Sequence, residues 1–169
     1  MERPTKRLTR LSLLLSCALV LGAVERWIPL PVPVPGAKIG LSNIVVLAVL
    51  LRYGLKEAMA VAFMKSLVLM ALFGSPVSFL YSVCGGLGSV LVMALMKKRW
   101  SEKFSVMGIS VAGAAVHYLM QLTVAALILR TPALYGYFPY MVLMSIPTGV
   151  FTGAAAFYLN RVTEKLDRA

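Results

Sequence analysis

Apolar residues fall in six long runs, separated by short polar or proline-rich stretches. Most runs are too long and too evenly apolar for the one-sided helices of a water-soluble domain, and they approach the about 20 residues that carry a helix across a bilayer. They predict helices over 8–24, 37–52, 55–73, 77–96, 104–129 and 140–158, in one membrane domain covering 1–169. The second is the weakest, because its uncharged core from Ile39 to Leu51 is only 13 residues long, a length that also suits a re-entrant piece. Between the first two runs, residues 25–36 place proline at alternate positions from Pro29 to Pro35. That stretch lacks the N–H donors of a helix and predicts an extended, polyproline-like loop. The basic tail ahead of the first run, with Leu14-Leu15-Ser16-Cys17 inside it, also fits a leader peptide. The run continues through Val24 with no small-residue cleavage site, so a retained first helix is the expectation.

Composition agrees with a membrane solvent. The chain is 60% hydrophobic and 14% charged, where soluble domains run at about 45–50% and about 25%. In 169 residues, six crossings take roughly 120 and a seventh would leave almost nothing for loops. A net charge of +11 raises nucleic acid as a partner, but the basic residues punctuate apolar runs and form no single face or tail, so nucleic acid is not expected. Their distribution instead orients the helices, because cytoplasmic loops hold the Lys and Arg excess. With six crossings, Arg3, Lys6, Arg7, Arg10, Arg52, Lys56, Lys97, Lys98, Arg99, Lys103, Arg161, Lys165 and Arg168 lie inside, 13 of the 17 basic residues. Arg26, Lys38 and Arg130 lie outside, and both chain ends are cytoplasmic. Removing the second helix would invert every later loop and spoil the pattern.

Acids are scarce: Glu2, Glu25, Glu57, Glu102, Glu164 and Asp167 are the whole supply. Paired-carboxylate catalysis and aspartate-rich metal sites are disfavoured, and no cofactor or metal motif is present. Cys17 and Cys84 sit in apolar runs as small hydrophobes. Gly85-Gly86-Leu87-Gly88-Ser89 lies mid-span without the lysine of a phosphate-binding loop, and predicts close helix contact. On the first helix Ser12, Ser16 and Ala23 fall within about 40° of one another at about 100° per residue, with Ala18 and Gly22 nearly opposite. Two small-residue faces allow one contact with the bundle and another with a partner, or faces that both pack internally or meet lipid.

Lys65 stands ten residues into its helix, near mid-bilayer, where a charge costs at least about 2.5 kcal/mol. No span interior holds an acid to pair with it, which leaves two readings: a lysine bonded to protein oxygens, or one that meets an anionic ligand. His117 and Gln121, four apart, share a helix face, as packing residues or as ligand contacts. Following the predicted directions, Lys38, Asn43, Tyr81, Ser82, Tyr140 and Ser145 fall in the outer half with Gln121. These residues are expected to form a pocket under the proline-rich loop, and Tyr81, Tyr118 and Tyr140 could stack on a ring.

Pro35-Gly36-Ala37-Lys38-Ile39-Gly40-Leu41-Ser42-Asn43-Ile44, after a proline-rich loop, resembles the signature of the Gx transporter family, also labelled heptaprenyl diphosphate synthase component I. That family is similar to the S components of energy-coupling factor transporters. The resemblance implies a six-helix, multi-pass protein of a bacterial cell membrane that captures a small anionic, vitamin-like or prenyl- or flavin-like molecule from outside. It also implies a transmembrane coupling subunit and two cytoplasmic ATPases as partners, with Ser12 and Ser16 contacting the coupling subunit where the family motif commonly has alanines. Substrate release would follow toppling of the bundle within the complex. Known prenyl synthases hold magnesium on aspartate-rich motifs, which one tail aspartate cannot supply, so the chain is not expected to be an enzyme. A non-catalytic partner of a soluble prenyl synthase and a ligand-free assembly subunit of an electron-transfer complex stand as alternatives.

Overall fold

The computed structural model describes residues 4–28 and 40–168. Within them the chain forms six α-helices and no strand: α1 (Pro4–Glu25), α2 (Leu41–Arg52), α3 (Leu55–Phe73), α4 (Pro76–Trp100), α5 (Val106–Leu129) and α6 (Phe138–Arg168). A short 3₁₀ helix, Pro132–Tyr137, joins the last two. Four segments are long and apolar enough to cross a bilayer: Thr5–Glu25, Pro76–Trp100, Val106–Leu129 and Pro132–Lys165. α3 has the length but carries Lys56, Glu57 and Lys65, whereas α2 has only 12 residues.

Local chemistry sets most boundaries. Ser75 and Ser105 cap α4 and α5, accepting from the backbone N–H of Ser78 at 3.2 Å and of Gly108 at 3.3 Å. Gly74 ends α3 in the left-handed region, at φ 64°. Several predicted bounds move. The first helix starts earlier, at Pro4, and the fifth starts after its Ser105 cap. The fourth extends through Lys97-Lys98-Arg99 to Trp100. The sixth begins at Phe138 and runs ten residues beyond Tyr158, because nothing in Leu159–Arg168 breaks a helix. The predicted start of the second helix at Ala37, and residues 29–36 of the proline-rich loop, lie outside the described residues.

α6 carries Pro147 in its interior, which cannot donate to the preceding turn. Beside it, Ser145 Oγ donates to Val142 O at 2.6 Å and Thr148 Oγ1 to Met144 O at 2.8 Å, so hydroxyls serve the carbonyls around the break. Close packing with α5 follows from Gly149 and Gly153. A Cβ at Gly149 would stand 2.4 Å from Val111 Cα, and one at Gly153 would stand 2.8 Å from Met107 Cα. With no hydrophobic drive between helices in lipid, such close backbone contact is what holds them.

α2 is the pillar of the bundle, packed on α1, α3, α4 and α6. Its residues Ile44 through Leu50 are all buried. At about 1.5 Å per residue it is about 18 Å long, well short of the about 30 Å hydrocarbon core. Side chains from two other helices satisfy its end groups. The buried Glu25 carboxylate, at the end of α1, accepts from the N–H groups of Gly40 and Leu41. At the other end Lys97 Nζ donates to Leu50 O at 3.2 Å and Leu51 O at 2.8 Å. An anion at the N-terminus and a cation at the C-terminus also complement the helix dipole. The extension of α4 past Met96 brings Lys97 to the end of α2.

α1 and α3 run in the same direction, with Arg7 bound to Glu57 at one end and Arg26 lying 4.4 Å over the Phe73 ring at the other. Ala18 and Gly22 face the bundle, and a Cβ on Gly22 would meet Leu69 at 2.7 Å. The opposite face, with Ser12, Ser16 and Cys17, is exposed. The glycine run of α4 packs as expected from its position: Gly85 faces His117 and Gly86 faces Ala62.

Candidate functional site

The bundle leaves a gap where α2 and α5 stand apart. Gly40, Asn43 and Leu47 line it from the α2 side, Ser89 and Met93 from α4, Ser110, Ala114, His117 and Tyr118 from α5, and Thr148 and Thr152 from α6. Seven of these eleven residues carry a polar side-chain group, set among apolar surface. Ser89, Ser110, His117, Tyr118 and Thr152 are all buried, so their hydrogen-bonding groups must find partners within the bundle, in water or in a ligand. The space open to the centre of a water molecule is about 20 Å³, near the about 10–15 Å³ needed to hold one. In this state the cavity suits water, and anything the size of a vitamin enters only after the surrounding helices or side chains shift.

Lys65 reaches this cavity through Asn43. Its Nζ donates to Asn43 Oδ1 at 2.8 Å and to Ser42 Oγ at 3.0 Å, and the residue is only 3% exposed. Two charged groups thus converge on one turn: Lys65 holds the side chains of Ser42 and Asn43, while the Glu25 carboxylate holds the backbone of Gly40 and Leu41. Glu25 lies outside the span interiors, yet it binds the same turn that Lys65 holds. It ends its helix at the sequence border of the apolar run, and the return of α2 brings it inward.

On the facing wall His117 packs flat against Gly85, where a Cβ would lie 2.9–3.1 Å from three ring atoms. Gln121 Nε2 stands 3.1 Å from His117 Nε2. With the amide donating, the ring nitrogen that accepts is Nε2, which puts the proton of the neutral ring on Nδ1. Gln121 is fully buried, and its Oε1 has no hydrogen-bond partner among the described residues. Tyr118 hydrogen-bonds Thr148, which ties α5 and α6 to the same region.

The predicted site residues separate into groups. Asn43 and His117 line the cavity, with Lys65 and Gln121 bonded behind them. Tyr81 is buried and Ser82 half-buried on α4, away from the lining. Ser145 is buried, but its hydroxyl is spent on its own helix. Tyr140 is 44% exposed and turns away from the bundle, because α6 begins two residues before it and sets its rotation. Lys38 lies outside the described residues. Sequence reasoning missed Ser89, Ser110, Thr148 and Thr152. A usable signal existed for two pairs: Ser110 stands seven residues before His117, and Thr148 and Thr152 stand four apart, each spacing one helix face.

The architecture defined by these helices, an all-α bundle with a polar pocket in its apolar interior, is that of a multi-pass membrane protein. It is similar to a solved structure described as "Structure and mechanism of the S component of a bacterial ECF transporter", with a TM-score of 0.59 over 98% of each chain and 22% identity, a likeness of fold. Residues 14–159 match the family described as Heptaprenyl diphosphate synthase component I, and the chain belongs to that family. No curated protein matches the sequence.

Proposed function

We propose that this chain is the substrate-capturing membrane subunit, the S component, of a transporter of the energy-coupling factor type. The carrying observation is the polar cavity beside the first turn of α2, with Lys65 bonded to its Asn43 wall and His117 on the facing wall. In this reading all six helices cross the membrane, both chain ends are cytoplasmic, and the cavity faces outward. That orientation draws support from charge: Arg7, Arg52, Lys56, Lys97 and Lys98 gather at one end of the bundle. A small anionic molecule, vitamin-like or prenyl- or flavin-like, binds with its charge toward Lys65 and displaces water from Asn43, His117 and Tyr118. The Lys65 ammonium, held by Asn43 and Ser42 at the cavity wall, favours a ligand that brings an anionic group. Energy comes from a coupling subunit and cytoplasmic ATPases. The exposed Ser12 and Ser16 face of α1 is available to such a subunit, and the chain's role is not enzymatic.

Native mass spectrometry of the full chain from mild detergent tests this reading. A retained small anion, with a coupling subunit and ATPases in the copurified complex, is the expected result. The family description favours a second reading, a non-catalytic membrane partner of a soluble polyprenyl diphosphate synthase. Copurification of that synthase in place of the ATPases would choose it. The polar lining argues against a ligand-free assembly subunit of an electron-transfer complex.

A further inference from the structure

A second concavity lies at the opposite end of α2 from Asn43, on the outside of the bundle where α2 ends, α3 begins and α4 ends. It is an open groove of about 590 Å³, with a floor of Leu50, Leu55, Leu91, Ala94 and Leu95 and a rim of Lys97 and Lys98; among the described residues no acid lines it. The floor is open: Leu55 is 39% exposed, and Leu91 and Leu95 are each 48% exposed. Trp100 follows at the end of the same helix, 42% exposed, and tryptophan at a span end marks the boundary between hydrocarbon and headgroups. An aliphatic trough that ends in two lysines at that boundary has the profile of one amphiphile, a hydrocarbon chain terminated by an anionic head.

We propose that this groove binds an anionic phospholipid, one acyl chain along the leucines and the phosphate on Lys97 and Lys98. Charge complementarity selects the class. Both rim charges are positive, so a zwitterionic head brings its own cation into a cationic site, while a net anionic head does not. Lys97 gives the site a fixed point, because its ammonium is held by the carbonyls of Leu50 and Leu51. Lys98 is exposed and free to close over a headgroup. The assignment does not rest on the transport reading, since the groove shares no lining residue with the polar cavity.

The test uses the full chain in mild detergent, titrated with phosphatidylglycerol and phosphatidylcholine of identical acyl chains and read by native mass spectrometry. Phosphatidylglycerol adducts should exceed phosphatidylcholine adducts about tenfold. Ala94→Phe, which fills the trough, and Lys98→Glu, a change on an exposed side chain, should each cut them at least fivefold with helical circular dichroism unchanged. If Ala94→Phe does not fold, Lys98→Glu decides alone. Equal retention of the two lipids would overturn the assignment, as would selectivity that survives Lys98→Glu. A dimer signal abolished by Ala94→Phe, without lipid selectivity, would assign the groove to a second copy of the chain and overturn it as well.

Discussion

Replacing Glu25 by alanine removes a side chain that satisfies the N-terminal backbone of α2. The carboxylate is 5% exposed and bonds two N–H groups, the one from Leu41 at 3.3 Å. A hydrogen bond to a charged group contributes about 1.5–3 kcal/mol, and an abandoned buried donor costs about 1–3 kcal/mol. The long Leu41 bond belongs at the lower end, and loss of the carboxylate also removes its own desolvation cost. The net expectation for Glu25→Ala is therefore a loss of about 2–4 kcal/mol. Glu25→Gln keeps an acceptor but not the charge, and should lose about 1 kcal/mol, the size of the helix-dipole contribution. Unfolding in mixed micelles, followed by circular dichroism against the mole fraction of sodium dodecyl sulfate, measures both. Lys97→Met provides the matching perturbation at the other end of α2, and the two costs should add within about 0.5 kcal/mol, because the sites are far apart. Glu25→Ala within about 0.5 kcal/mol of the parent would refute the idea that side chains from other helices hold the ends of this helix.

Three further outcomes are expected. Lys65→Met should weaken binding of the retained anion at least tenfold in a ligand titration, and unchanged affinity would remove Lys65 from the site. Gly149→Ala should destabilise the bundle by about 1–3 kcal/mol through overpacking, because its Cβ would meet Val111 backbone atoms; Gly136→Ala, with nothing within 4 Å of the added carbon, should leave the unfolding midpoint in place. Single cysteines at Ser101 and Gly136, in a background lacking Cys17 and Cys84, should react with an impermeant thiol reagent from opposite sides of the membrane. Labelling of both from one side would break the six-crossing orientation.

The run lengths, the glycine stretch and the spacing of basic residues made the helical class readable from the chain, because a lipid environment demands long apolar helices and close contacts whatever the tertiary arrangement. The α3 bounds follow directly from that logic, with charges at the start and Gly74 at the end. The family resemblance was legible too, and the match over residues 14–159 agrees with it. Lys65, Asn43, His117 and Gln121 stood out as polar groups in apolar runs, and they do face inward.

What periodicity could not supply was rotation and partnership between helices. Tyr140 and His117 look alike as polar residues within a span, yet one is exposed and the other buried, since only the packing of α6 on α5 chooses which face turns in. Ser12 and Ser16 fall on the outward face of α1 for the same reason, while Ala18 and Gly22 take the inward one. Glu25 and Lys97 read as border charges, each at the edge of an apolar run. They become the two end clamps of α2 because packing places that short helix at the centre of the bundle, within reach of α1 and α4; its length was legible in the chain, but its position was not.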